Sequence, residues 1–553
     1  MTSVQEGNGL SASRIAGSKF SRFGSRVDGM LESAGDRLNP ILVKEARQAL
    51  KSRQFLLTFL LVLLGCWVWS ILGVAQIGEA VYYGSYGPRM FMGYYMILAG
   101  ALLVIIPYTA YRSLAAERED RTYELLSITT LSPAQIIAGK LASSVLQMLV
   151  YLSAIGPCLT FTYMLRGMDV RAVAYVLVWT CLASAGLALV ALFAATLFKQ
   201  KHWQGLVGAG IVIGLMPVFM STINLAGELV SERFPLWDDL DFWRFNLVVL
   251  TAYFAYGTMI YFAAAAQLSF ASDNKSTRLR IVMLAQHGLL AAWLGYGAVD
   301  TSSPYITRDA LAGASILFAL HWFIMGALLS GESPRLSNRV RRGLPQSGLA
   351  RALFTWFNPG PASGIVFALL NLCCAVLVLA LLVPLLKHLW EGPAGLGGVD
   401  ERLLEFGCLV LAYVTFFLCS GKLLVDLLRK VTPTTPGTAV AVHALLLVGC
   451  GAFPPAVGYF FDIRMNRYSL LYIGNPLLTL AEMLVQNTAI DDIQWIVIRF
   501  AVPAAALLAL LLNVPSIVRE LRQSRLPNPQ RVAEDDAQAA AHGSRATAAN
   551  PWT

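Results

Sequence analysis

The chain has 553 residues, 56% of them hydrophobic and 14% charged, with a formal net charge of +9. Soluble domains carry about a quarter charged residues, so this composition excludes a soluble globular protein and predicts an all-α polytopic membrane protein. The basic excess is spread over many short segments with no aromatic interleaving, which fits membrane topology and anionic lipid and argues against nucleic acid as a partner.

Residues 1–36, rich in Ser, Gly and Ala, read as a disordered tail. The first 54 residues hold no apolar core of a signal peptide, so none is expected to be cleaved. The stretch "NPILVKEARQALKSRQF" then offers Asn39 as an N-cap and Pro40 at the first helical position. Leu42, Ala46, Ala49 and Leu50 share one face, with Lys44, Glu45, Arg47, Gln48 and Lys51 around the rest. That pattern predicts an interfacial helix with its apolar side in lipid and its cations at the headgroups.

About twelve apolar runs of membrane-spanning length follow, six between Phe55 and Phe270 and six between Ile281 and Val518, the seventh being Ile281 to Val299. They divide the chain into a first membrane domain over 37–270, a second over 271–527 and a tail over 528–553 expected to be disordered. With the N-terminus inside, 31 of the 42 basic residues fall in cytoplasmic segments and 11 on the opposite side. Positive loops stay inside, so both termini are predicted to be cytoplasmic, in a plasma (inner) membrane. All eight cysteines lie in predicted spans and read as packing residues.

Between the second and third runs stands "AAEREDRTYELLSITTLSPAQIIAGKLA". Residues 113–127 are helix formers, with Glu117 attracting Arg121 and Asp120 repelling Glu124 one turn on. Ser132, Pro133 and Gln135 make a capping box with Pro at the first position, so a new helix is predicted to start there and run into the third span. Helix, break and helix at the membrane surface form a unit able to pass a push from a cytoplasmic partner into the bilayer.

These residues resemble the permease subunit of type-2 ABC transporters. The matching positions are Glu117, Arg118, Glu119, Thr122, Glu124, Leu125, Leu126, Thr129, Leu131, Ser132, Pro133, Ile136, Gly139 and Lys140, while Ser127 and Thr130 depart from the pattern. The resemblance implies that the Asn39–Phe55 stretch is an interfacial connecting helix. It also implies that the segment holding Glu117, Arg118, Arg121, Thr122, Glu124, Leu125 and Leu126 is a coupling helix that docks on an ATP-binding subunit. A later stretch, "YIGNPLLTLAEMLVQ", with Asn475, Pro476 and Glu482, is similar to one that such permeases carry outside the membrane before their last span. Pro476 there predicts a short amphipathic helix with Leu477, Leu480, Met483 and Leu484 on one side. The family implies six spans, and this chain has twelve. The second half shows no second E-R-E sequence, so no internal repeat is legible and a permease homodimer is an expected assembly.

No G-x-x-x-x-G-K-[ST] phosphate loop occurs, so the chain is expected to be no enzyme and to hold no cofactor; ATP-Mg is expected in a separate partner subunit. No His, Cys or carboxylate pair has metal-ligand spacing. His287, His321, His443, Asn371 and Asn513 lie within or near spans, where packing is the expected role. Lys422 and Asp426 are expected to pair. The leading expectation is therefore an ABC permease, an exporter, with an ion-coupled secondary transporter or a non-transporting membrane scaffold as alternatives.

Overall fold

The computed structural model describes residues 40–77, 86–120, 131–165, 167–197, 201–231, 236–270, 272–299, 308–345, 347, 354–382, 401–432, 434–460, 468–484, 490–523, 525–527, 531 and 534. The two expected tails lie outside these residues, apart from Arg531 and Glu534. Among the described residues every regular element is helical, and eleven helices are long and apolar enough to cross a membrane. The protein is an all-α polytopic membrane protein. The sequence suggested twelve such helices. The seventh stretch is also helical, within Thr277–Val299, but it is not one of the eleven. Arg278, Arg280, Gln286 and His287 dilute its apolar character.

By packing, the chain divides into two units, Met1–Ser269 and Phe270–Thr553. The first holds α1 (Pro40–Leu50), α2 (Arg53–Ile77), α3 (Gly87–Glu119), α4 (Pro133–Met164), α5 (Val170–Leu197), α6 (Lys201–Ser231) and α7 (Leu240–Leu268). Helices α3 and α5 form its centre. Helix α3 packs on α2, α4, α5 and α6, and α5 packs on α4, α6 and α7. Helices in lipid gain little from burying apolar surface, so close packing and interhelical hydrogen bonds carry the association. Tyr94 bonds Ser70 at 2.7 Å, Tyr95 bonds Thr180 at 2.7 Å and Tyr151 bonds Thr58 at 2.8 Å. Pro107 interrupts α3, and the turn before it, Ala101–Ile105, widens into a π-helical turn. Ser184 of α5 donates to the Leu102 carbonyl there at 2.6 Å, the kind of side-chain bond that satisfies backbone groups loosened around a proline.

At the end of this unit opposite α1, Asp169 caps α5. Its Oδ1 accepts from the Arg171 amide at 2.9 Å, and its Oδ2 accepts from the Trp237 indole at 3.1 Å. Arg171 lies 5.8 Å above the Trp237 ring, which packs edge-on against Tyr175 and Phe242. The Arg171 amide first, and then the Arg171 side chain and the Trp237 indole, hold the Asp169 carboxyl below the usual aspartate range. A depressed folded-state pKa stabilises above the unfolded value, and that stabilisation is lost as pH falls through the folded pKa. The melting-temperature advantage of the wild type over Asp169→Asn is therefore expected to hold steady at neutral pH and to shrink below about pH 4. Paired melts across that range check it.

The second unit holds α8 (Thr277–Val299), α9 (Arg308–Ser330), the short α10 (Asn338–Arg342), α11 (Pro361–Leu381), α12 (Glu401–Leu428), α13 (Pro436–Phe460), α14 (Pro476–Leu484) and α15 (Asp492–Leu521). Helices α9 and α12 form its centre: α9 packs on α8, α11, α12 and α13, and α12 packs on α11, α13 and α15. Polar groups in its helices are engaged in packing. Trp322 donates to His287 Nδ1 at 2.8 Å, His443 Nδ1 lies 2.8 Å from the Ala439 carbonyl, and Asn513 donates to the Ala509 carbonyl at 2.8 Å. Asn371 likewise donates to the Phe367 carbonyl at 2.8 Å. Lys422 and Asp426 pair at 2.6 Å.

Candidate functional site: a buried ion network joining α1, α3 and α4

Helix α1 lies along α4, and the residues it buries are Ile41 and Glu45. Glu45, which hydropathy grouped with the cations, is thus turned into the protein, while Leu42, Ala46, Ala49 and Leu50 are half-buried and Lys44 and Arg47 are exposed. The physical reason is on α4. A Cβ on Gly139 would stand 2.8 Å from Ile41 Cβ, so glycine is what lets the two helices approach this closely. The next residue, Lys140, supplies the charge that draws Glu45 inward.

Lys140 Nζ sits 3.0 Å from Glu45 Oε1 and 3.1 Å from Glu117 Oε2, and its side chain is only 1% exposed. Lys44 closes the group on its outer side, 3.3 Å from Glu117 Oε1. Two cations and two carboxylates thus neutralise one another. A buried charge is tolerable only when so paired, and the four come from three elements: α1, the end of α3 and the start of α4. Around them Tyr111, Leu114, Ile137, Leu192 and Ala264 form an apolar seal.

Arg118, the neighbour of Glu117, turns the other way and donates to the carbonyls of Ala195 (3.2 Å) and Thr196 (2.5 Å), in the last turn of α5. Those carbonyls have no partner within their own helix, and a cation there also suits the helix dipole. Glu119 pairs with Arg112 at 3.8 Å. Leu131 packs at the edge of the apolar seal. Ser132 accepts from the Gln135 amide at 3.3 Å while its own amide donates to Gln135 Oε1 at 2.9 Å, which makes the capping box, and Pro133 opens α4. Tyr261 of α7 donates to the Ala134 carbonyl at 2.8 Å. The ends of α3, α5 and α7, the start of α4 and the whole of α1 are therefore linked around one point. Arg121, Thr122, Glu124, Leu125 and Leu126 lie outside the described residues, as does Asn39; Pro40 begins α1.

In the second unit, Asn475 accepts from the Leu478 amide at 3.1 Å and so caps α14, with Pro476 at its first position. Asn475 also donates to the Gly451 carbonyl at 2.9 Å. The buried side of α14 is Pro476, Thr479 and Met483; Leu477, placed by periodicity on the apolar face, is 72% exposed, and Glu482 is half-buried. The face is set by Thr479, whose hydroxyl bonds Tyr468 at 2.8 Å.

Sequence reasoning missed a second charged group in this unit. Arg280, fully buried at the start of α8, donates to Glu332 Oε2 at 2.7 Å and to the carbonyls of Trp356 (2.5 Å) and Gly360 (3.1 Å). Glu332 also accepts from the Gly360 amide at 2.8 Å. Arg429, just past α12, donates to the carbonyls of Ser330 (3.2 Å) and Glu332 (2.8 Å). Glu520, near the end of α15, accepts from the amides of Ala362 (3.1 Å) and Ser363 (2.9 Å) at the start of α11. The available signal was four charges at span ends, where ionisable residues are rare enough to need partners.

No cluster of His, Cys, Asp or Glu able to hold a metal exists among the described residues. No family model, curated protein or solved structure matches this chain.

Proposed function

We propose that the protein is the membrane-spanning permease subunit of a type-2 ABC transporter. It is an exporter in the plasma (inner) membrane, with twelve crossings and both termini in the cytoplasm. A separate ATP-binding subunit docks on the segment after α3, around Glu117 to Pro133, and supplies the ATP-Mg that this chain lacks. The observation that carries the reading is the Glu45–Lys140–Glu117 network, which brings the residues of the E-R-E and G-K motifs into one stiff joint. A push on the segment between α3 and α4 reaches α1, α4, α5 and α7 together, because all are bonded at that joint. Nucleotide binding shifts the helices only if the partner holds one arrangement more tightly than the other.

A photo-crosslinking residue at Thr122 is the direct test, in membranes of cells that express the full-length chain with its natural partners. The expected product is a cross-link to a P-loop ATP-binding protein. Glu124→Lys in the same chain is expected to lower its yield at least tenfold, about 1.4 kcal/mol of docking energy, with the melting temperature unchanged. A cross-link confined to lipid, or a yield indifferent to Glu124→Lys, sinks the reading.

A further inference from the structure

The first unit holds a cavity of about 290 Å³ between α3, α5, α6 and α7. It lies in the half of the unit opposite α1. Its wall on α5 runs from Tyr175, near the start of that helix, to Ala183 near the middle, about 12 Å along the axis. None of the residues that line it is charged, and Tyr95, Tyr175, Trp179 and Phe245 give it four aromatic walls. Helices α6 and α7 each pack on α5. Leu225 of α6 and Phe245 of α7 line the cavity and are also exposed. The cavity therefore opens sideways between these two helices, onto the apolar surface that the bilayer covers.

The hydrogen-bond donors on the wall are nearly all spent. Thr180 donates to the Val176 carbonyl at 2.7 Å, so Tyr95 donates to Thr180, and Thr222 donates to the Val218 carbonyl at 2.7 Å. Tyr175 donates to Asn246 Oδ1 at 2.6 Å, while Asn246 Nδ2 donates to the Phe242 carbonyl at 2.8 Å. That carbonyl can only accept, which fixes the orientation of the amide. An amide nitrogen carries two hydrogens, and the second has no acceptor among the described residues. Asn246 is 8% exposed. One donor among apolar walls is a poor site for a water, which needs about two to four polar partners.

We propose that this cavity binds an uncharged, flat molecule of one or two aromatic rings with a single hydrogen-bond acceptor, which enters from the lipid and accepts from Asn246. A wall without charge and with one spare donor cannot compensate the desolvation of an ion, a sugar or a nucleotide. The volume is about twice that of an engineered apolar cavity that takes one benzene, so two rings fit. Aromatic walls favour a ring through offset and edge-on contacts, whereas a saturated acyl chain makes use of neither the rings nor the amide. The site is read from the first unit alone and depends on neither an ATP-binding partner nor a direction of transport.

Benzophenone, two rings joined by one carbonyl and itself photoreactive, is the probe, used on the purified full-length chain in detergent. Irradiation is expected to give saturable adducts, mapped by peptide mass spectrometry, within residues 175–183, 222–229 and 245–249. Excess diphenylmethane, which has the same rings and no acceptor, is expected to displace them, a result that needs no variant and so covers the case of misfolding. Ala183→Phe, which fills part of the cavity, is expected to lower the yield there at least tenfold and to leave adducts on the exposed side of α2 unchanged. Tyr175→Phe/Asn246→Leu removes donor and acceptor together. It is expected to raise the benzophenone concentration for half-saturation about fivefold, the worth of one hydrogen bond, with displacement by diphenylmethane as in the wild type. Unchanged half-saturation in that variant takes Asn246 out of recognition and overturns the proposal. Adducts as dense on α2 as on the cavity segments also overturn it. So does displacement by phosphatidylglycerol but not by diphenylmethane, which makes the cavity an acyl-chain groove.

Discussion

Lys140→Met is expected to lower the stability of the first unit by about 3 kcal/mol, because it removes the buried cation that Glu45 and Glu117 share and leaves them only the half-exposed Lys44. Lys44 cannot substitute: its side chain is 54% exposed and already holds Glu117 from the outer side. The loss is expected as an earlier thermal transition of the detergent-purified chain. The triple variant Glu45→Gln/Lys140→Met/Glu117→Gln is expected to recover most of the melting temperature, since removing all three charges removes the unpaired ones too. A single variant as stable as wild type would show that the network contributes nothing.

Arg280→Met is expected to cost a similar 3 kcal/mol or more, read as the melting temperature of the whole chain. The guanidinium is fully buried and holds one carboxylate and two backbone carbonyls at once, with the Phe367 ring 5.8 Å away. Loss of it strands Glu332 and the carbonyls of Trp356 and Gly360. Arg280→Lys is expected to recover little, because an ammonium on a flexible stem cannot reproduce the planar fork that reaches several acceptors in fixed directions. Full recovery by lysine would mean that charge alone matters there.

Much of the architecture could be read from periodicity and composition. Eleven of the apolar runs form helices long and apolar enough to cross a membrane, and the capping box at Ser132 and Gln135 forms as the spacing predicts. Those features are local, so a single stretch of chain contains the cause. The role of Glu45 was not legible, because hydropathy assigns a carboxylate to the solvent face, and its counter-charge lies 95 residues away on another helix. The charged group of the second unit was hidden for the same reason: Arg280 and Glu332 are 52 residues apart, and Glu520 and Ser363 are 157 apart. Several of its acceptors and donors are also backbone groups, which every residue carries and no motif marks.

Because the carboxylate that closes the first turn of α11 comes from Glu520, a ribosome must finish α15 before that turn is capped. An inserted chain that lacks α15 holds the buried amides of Ala362 and Ser363 without their carboxylate. A truncation that removes α15 therefore leaves the start of α11 uncapped as well.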